Sequence, residues 1–178
     1  MFTEAQRRAL VDIARGAVAD KVAGRESAVP LPQDLPGASG AFVTLKRRGE
    51  LRGCIGTLEC RRPLAEEVAR VAVCAAHEDP RFEPVRPSEL EEIDVEVSVL
   101  GPLEEIDPFD PGAIVIGVHG LVVERGDRRG LLLPQVATEW GWDRETFLAH
   151  TCAKAGLPAD AWRNGSKIYR FAAEVFGD

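Results

Sequence analysis

Leu51-Arg52-Gly53-Cys54-Ile55-Gly56 places a thiol between two glycines and two residues from an arginine. The flanking residues read as a β-strand, in which successive side chains alternate faces. On that pattern Arg52 and Cys54 share one face, and Leu51 and Ile55 the other. Glycine weakens a strand interior and is usually kept where a ligand or another backbone must come close, so Gly53 and Gly56 are candidate substrate-binding positions. A guanidinium on the same face as a thiol favours the thiolate, which is the nucleophilic form. The competing reading is that Cys54 is packed as a small hydrophobe.

A nucleophilic Cys54 needs a cation, a base and room for an acyl, alkyl or thioester substrate. Arg52 is the candidate for stabilising the thiolate or an anionic group of the substrate. His119, between Val118 and Gly120 at the end of an expected strand, is favoured as the proton-transfer residue over His77, which ends a helix. Asp79 and Arg81 flank Pro80 in a loop just after that helix. Arg81 has the fork geometry to hold a carboxylate or phosphate, and equally the Asp79–Arg81 pair is suited to tying its loop to neighbouring backbone. Trp140-Gly141-Trp142 reads as core packing beside a capped helix, with a stacking surface as the alternative.

The elements that must position these groups follow from periodicity and caps. Thr3 and Gln6 form a capping box for a helix to about Ala23, with Leu10, Ile13, Ala14, Ala17, Val18 and Val22 as its apolar stripe. Arg25 to Gly40, with Pro30, Pro32 and Pro36, reads as an irregular loop long enough to act as a lid or wrap. Ala41–Lys46 and Leu51–Leu58 form a hairpin through a turn in which Gly49 supplies positive φ. Pro63 opens a second helix, whose buried face is Leu64, Val68, Val71, Ala72 and Ala75. A short helical turn near Ser88 leads into the alternating strand from Ile93 to Val99. Ala113–Val118 and Leu121–Glu124 look extended, and Gly126-Asp127 marks a hairpin into Leu131–Leu133. Asp143 caps a helix ended by Gly156, and Lys167–Phe176 closes the chain as a strand. Hairpin-linked strands with grouped helices indicate an α+β protein with a mainly antiparallel sheet and flanking helices.

Bulk properties narrow the function classes. The 178 residues carry a formal net charge of −7, which argues against a nucleic-acid partner. No apolar run reaches the roughly 20 residues of a membrane span, and the amino terminus lacks the regions of a signal peptide, so a cytoplasmic protein is expected. Cys54, Cys60, Cys74 and Cys152 form no familiar disulfide or zinc spacing. Cys74 and His77 share a helix face, but a metal there would need ligands from elsewhere, such as Cys54 or His119. No nucleotide-binding glycine fingerprint occurs, and neither a metal nor a cofactor is expected.

Leu51–Gly56, Asp79-Pro80-Arg81-Phe82, Glu89-Leu90, Val97–Leu100, Gly117–Gly120, Leu133–Ala137, Gly141-Trp142-Asp143 and Lys154–Leu157 follow one another along the chain. Together they resemble the AMMECR domain family, whose bacterial and archaeal members are called AmmeMemoRadiSam system protein A. The chain departs from some relatives in having Gln135 where they have glutamate. The resemblance implies one domain over residues 1–178, an α+β fold of two unequal lobes, and the cysteine hexapeptide near a cleft between them. It implies a Memo-type protein and a radical S-adenosylmethionine protein as partners, and it supplies no reaction. The combined expectation is a cysteine-dependent enzyme for a small anionic or acyl substrate in a modification pathway with those partners. Cys54 and His119 would be catalytic, with Arg52, Gly53, Gly56, Asp79 and Arg81 binding substrate. The alternative is a non-catalytic subunit that binds or carries a small molecule or peptide for the same partners.

Overall fold

A computed structural model of the protein describes residues 1–26, 32 and 34–178. The chain divides into two compact units, residues 1–100 with 174–178, and residues 101–173. The protein is α+β, and its strand ladders are antiparallel.

In the first unit, α1 (Glu4–Val22) starts where the capping box predicts. The Thr3 hydroxyl accepts from the Gln6 N–H, and the Gln6 side chain accepts from the Thr3 N–H. Such a cap stabilises a helix by about 1 kcal/mol. Next come β1 (Gly40–Arg47), β2 (Glu50–Thr57), α2 (Leu64–His77), a 3-10 turn (Pro87–Glu92) and β3 (Ile93–Leu100). The strand order is β2-β1-β3. Ala41, Val43, Leu45, Val95, Val97 and Val99 face one way, and they form a single core with the buried stripes of α1 and α2. Pro63 is the cap residue before α2 rather than its first residue. The irregular loop expected from Arg25 to Gly40 falls partly on residues outside those described, Pro30 among them.

The β1–β2 hairpin holds one departure from simple alternation. Its turn places Arg48 at φ 54° and Gly49 at φ 80°, the left-handed pair that matches strand twist. Lys46 pairs with Leu51 but Leu45 pairs with Gly53, so Arg52 is an extra residue in β2. This bulge moves Leu51 to the face opposite Ile55. Leu51 is exposed while Ile55 packs against the core, which corrects the expectation that the two share a face.

The second unit contains β4 (Glu104–Glu105), β5 (His119–Arg125), β6 (Arg128–Leu132), α3 (Pro134–Trp140), α4 (Arg144–Lys154) and a 3-10 turn (Ala161–Arg163). It also holds the start of β7 (Lys167–Gly177), which pairs with β4 and β5. Its core is built from Leu121, Val123, Ala137, Phe147, Leu148, Cys152, Trp162 and Ile168. Ala113–Val118 is not the expected strand. The N–H groups of Val118 and His119 both donate to the Val115 carbonyl, closing a turn in which Gly117 has φ 84°. His119 therefore begins β5 instead of following a strand.

The sequence reading omits α3, although Pro134 stands in its first turn and left-handed Gly141 ends it. Trp140 is 71% exposed, contrary to the core role expected for it. Trp142 lies between Trp140 and the His150 ring, which stacks at 3.9 Å. No helix among the described residues is long and apolar enough to cross a membrane.

Candidate functional site

The bulge in β2 brings Thr44 opposite Cys54, and the Thr44 hydroxyl lies 3.2 Å from the Cys54 sulfur. Cys54 is half-buried, and by alternation with Gly53 and Ile55 it faces away from the α2 side of the sheet. The glycines beside it are explained by protein packing. A Cβ on Gly53 would lie 2.2 Å from the Ala75 carbonyl oxygen, so α2 approaches the strand there backbone to backbone. A Cβ on Gly56 would lie 2.2 Å from the Phe42 ring. Of the two reasons for glycine weighed from sequence, close approach by another part of the protein accounts for both.

Asp79 and Arg81 meet the same residue from beyond the end of α2. The Cys54 N–H donates to Asp79 Oδ2 at 2.9 Å, and Arg81 Nη2 reaches the Cys54 carbonyl at 3.4 Å. Arg81 also clasps Asp79, with Nε on Oδ1 at 3.0 Å and Nη2 on Oδ2 at 2.7 Å. A further bond runs from the Arg81 N–H to Oδ1. Hydrogen bonding from Arg81, reinforced by the Cys54 N–H, holds the Asp79 carboxyl far below the ordinary carboxylate range despite its burial. The pair thus fixes the outer edge of β2 at Cys54. The Asp79 side chain is 2% exposed and that of Arg81 55%. Arg81 remains in electrostatic contact with Cys54 and stacks over Phe82.

Arg52 is spent differently. Its Nε and Nη2 grip Glu89 at 2.9 and 3.0 Å, Nη1 donates to the Glu83 carbonyl, and Nη2 is also 3.4 Å from the Pro84 carbonyl. Glu89 accepts as well from the Arg86 N–H and from Arg47. These donors, Arg52 first, pull the Glu89 carboxyl down to about 2. The structure therefore brings Cys54, Asp79 and Arg81 together and turns Arg52 toward the 3-10 turn.

His119 belongs to the second unit. Its Nδ1 accepts from the Val115 N–H at 3.0 Å, which leaves the ring proton on Nε2. Burial, with Arg170 nearby, lowers its pKa. His77, the disfavoured alternative, has a buried Nδ1 without a hydrogen-bond partner among the described residues. No group of three or more His, Cys, Asp or Glu among those residues is arranged to hold a metal.

Two residues of this site were missed from sequence. Glu89 carried a signal, since a buried arginine in a strand demands a carboxylate. Thr44 carried none, because an unbulged hairpin with this turn would set Val43 opposite Cys54.

Comparison with known proteins extends these observations. Residues 11–176 match the family model described as AMMECR1. A protein of Methanothermobacter thermautotrophicus is 52% identical, the alignment covering 95% of this chain and 92% of the relative. Protein TK0174 of Thermococcus kodakarensis is 48% identical, with 94% and 87% covered. Among solved structures, the crystal structure of Uncharacterized Protein PH0010 from Pyrococcus horikoshii matches with a TM-score of 0.80. It shares 45% identity, and the match covers 95% of this chain and 89% of that one.

Proposed function

Since the chain belongs to the AMMECR1 family, we propose that it works through Cys54 as a thiol-dependent enzyme on a small acyl or anionic substrate. One observation carries this reading. The backbone of Cys54 is pinned on both sides by Asp79 and Arg81, while its thiol stays half-buried on the outer face of the hairpin. A nucleophile held in one position by its surroundings has part of the entropic cost of reaction already met. The exposed part of Arg81 supplies a cation for an anionic portion of the substrate.

The step is acyl transfer. The thiol gives its proton to solvent, and the sulfur forms a bond to the acyl carbon. The bond from that carbon to the leaving group breaks, and the leaving group departs with its electron pair and is protonated by water. Arg52 acts at a distance, as the positioning residue that locks the bulge through Glu89. The family resemblance supports placing this chemistry in a modification pathway with a Memo-type protein and a radical S-adenosylmethionine protein.

The test uses p-nitrophenyl acetate as probe and peptide mass spectrometry as readout. One acetyl group per chain on Cys54, lost in Cys54→Ser at an unchanged melting temperature, is the expected result. Labelling confined to other residues, or none, overturns the reading. The full engagement of Arg52 favours a second reading, a non-catalytic subunit that binds or carries a ligand for the same partners. Under it, Cys54→Ser would retain every partner in pull-down and no acetyl group would form on Cys54.

A further inference from the structure

The far end of β2 carries cations for which the Cys54 reading has no use. Thr57, Glu59, Arg61, Arg62, Glu67 and Arg70 line an open depression of about 360 Å³ within the first unit. At its floor, Glu67 in the first turn of α2 is only 2% exposed. Burying a lone carboxylate is costly, and cations supply the compensation. Arg70 supplies most of it, with Nε at 3.0 Å and Nη2 at 2.9 Å from Glu67 Oε2. Arg62 approaches the other oxygen at 3.7 Å.

The carboxylate is buried, yet the guanidiniums are not. The Arg62 side chain is 54% exposed and that of Arg70 42%. One clasping arginine suffices to neutralise Glu67, so Arg62 is positive charge in excess. Arg61 is balanced separately by Glu59 at 2.9 Å. The lining therefore holds three cations against two carboxylates, on a chain whose net charge is −7. Pro63 caps α2 with no side-chain acceptor, and Glu66 and Glu67 in the first turn offset part of the positive end of the helix dipole.

We infer that this depression is an oxyanion site, with a phosphate or phosphomonoester group held by the exposed sides of Arg62 and Arg70. Glu67 is the buried carboxylate that orients them. Planar guanidiniums offer paired N–H donors that match phosphate oxygens, which a point charge does not. The inference is independent of the chemistry at Cys54, and neither stands or falls with the other.

Titration calorimetry of the full chain with inorganic phosphate and with methyl phosphate, at constant chloride, tests it. Binding in the millimolar range or tighter is expected, and Arg62→Gln should weaken it about tenfold, the loss of one charge-assisted pair of bonds. Arg62→Gln leaves the Arg70–Glu67 clasp in place. Arg62→Lys, which keeps the charge without the fork, guards against loss of fold and should also bind more weakly than the parent. Arg61→Gln should weaken binding less than Arg62→Gln. Equal binding of both probes identifies a phosphomonoester ligand, and binding of inorganic phosphate alone identifies the free ion. Absence of binding by either probe, or affinity unchanged in Arg62→Gln, overturns the inference.

Discussion

The two faces of β2 are built on opposite terms. On the inner face, Gly53 lies under the Ala75 carbonyl with no room for a methyl group, and Ile55 joins the core. On the outer face, Cys54 is half-buried beside a threonine hydroxyl, and the arginine that reaches it is more than half exposed. The same contrast separates the two arginines. Arg52, whose side chain is 15% exposed, directs its donors to Glu89 and to two carbonyls. Arg81 spends one edge on Asp79 and the Cys54 carbonyl, and its side chain stays more than half exposed. The comparison teaches that a hexapeptide can be mostly scaffold, which leaves one side chain and one neighbouring cation for the chemistry proposed above.

Breaking the inner face should have the largest effect. Gly53→Ala drives a methyl group into helix backbone that cannot move independently, and a loss of about 4 kcal/mol or failure to fold is expected in urea denaturation. Gly56→Ala tests the outer face instead, where the obstructing atoms are the Phe42 ring and, at 2.6 Å, the Ala41 carbonyl oxygen. The ring can rotate aside but the strand carbonyl cannot, so a loss of about 3 kcal/mol is expected, short of that for Gly53→Ala. Equal losses in the two variants would show that the two faces are not distinct.

Comparable in size is the Arg52–Glu89 pair. Arg52→Ala leaves a buried carboxylate with weaker partners and should cost about 3 kcal/mol in thermal or chemical unfolding. Its pH dependence is equally specific. Glu89 has its pKa lowered on folding from 4.5 to about 2, so it contributes stability that is complete above the unfolded value. That contribution is lost as pH falls through the folded value. Asp79 acts in the same direction. Melting temperature should therefore hold steady above roughly pH 5 and fall on further acidification. In Arg52→Ala this decline should be shallower, and an unchanged slope would remove Glu89 from the account.

Cys54→Ser should have the smallest effect on stability, under about 1 kcal/mol, because a hydroxyl facing Thr44 has a hydrogen-bond partner. A core cysteine such as Cys152, fully buried in the second unit, should tolerate serine far less well. Parallel melts of the two variants would check this.

Much of this arrangement was legible in the residues. The capping box of α1, the buried faces of α1 and α2, the alternation in β3 and the Asp143 cap all rest on local chemistry that a sequence displays. The importance of Asp79 and Arg81 was also visible, with tying of neighbouring backbone as one of two readings. What escaped was non-local. The bulge at Arg52 shifts the register by one residue, and it alone sets Thr44, not Val43, against Cys54. Glycine at position 53 signalled a close approach, but only the packing of α2 shows that Ala75 makes it. The extended reading of Ala113–Val118 failed because a run of apolar residues cannot reveal that two N–H groups share the Val115 carbonyl. Trp140 looked like core because large aromatics usually are, and its exposure depends on where α3 ends.

The central claim, that Cys54 is presented for reaction while its neighbours are scaffold, is tested most directly by timed alkylation of the folded protein. Iodoacetamide modification is followed at each of the four cysteines by peptide mass spectrometry. The account predicts that Cys54 is modified first, well ahead of buried Cys152, and more slowly when Arg81 is replaced by glutamine. Protection of Cys54 until the protein unfolds would contradict it.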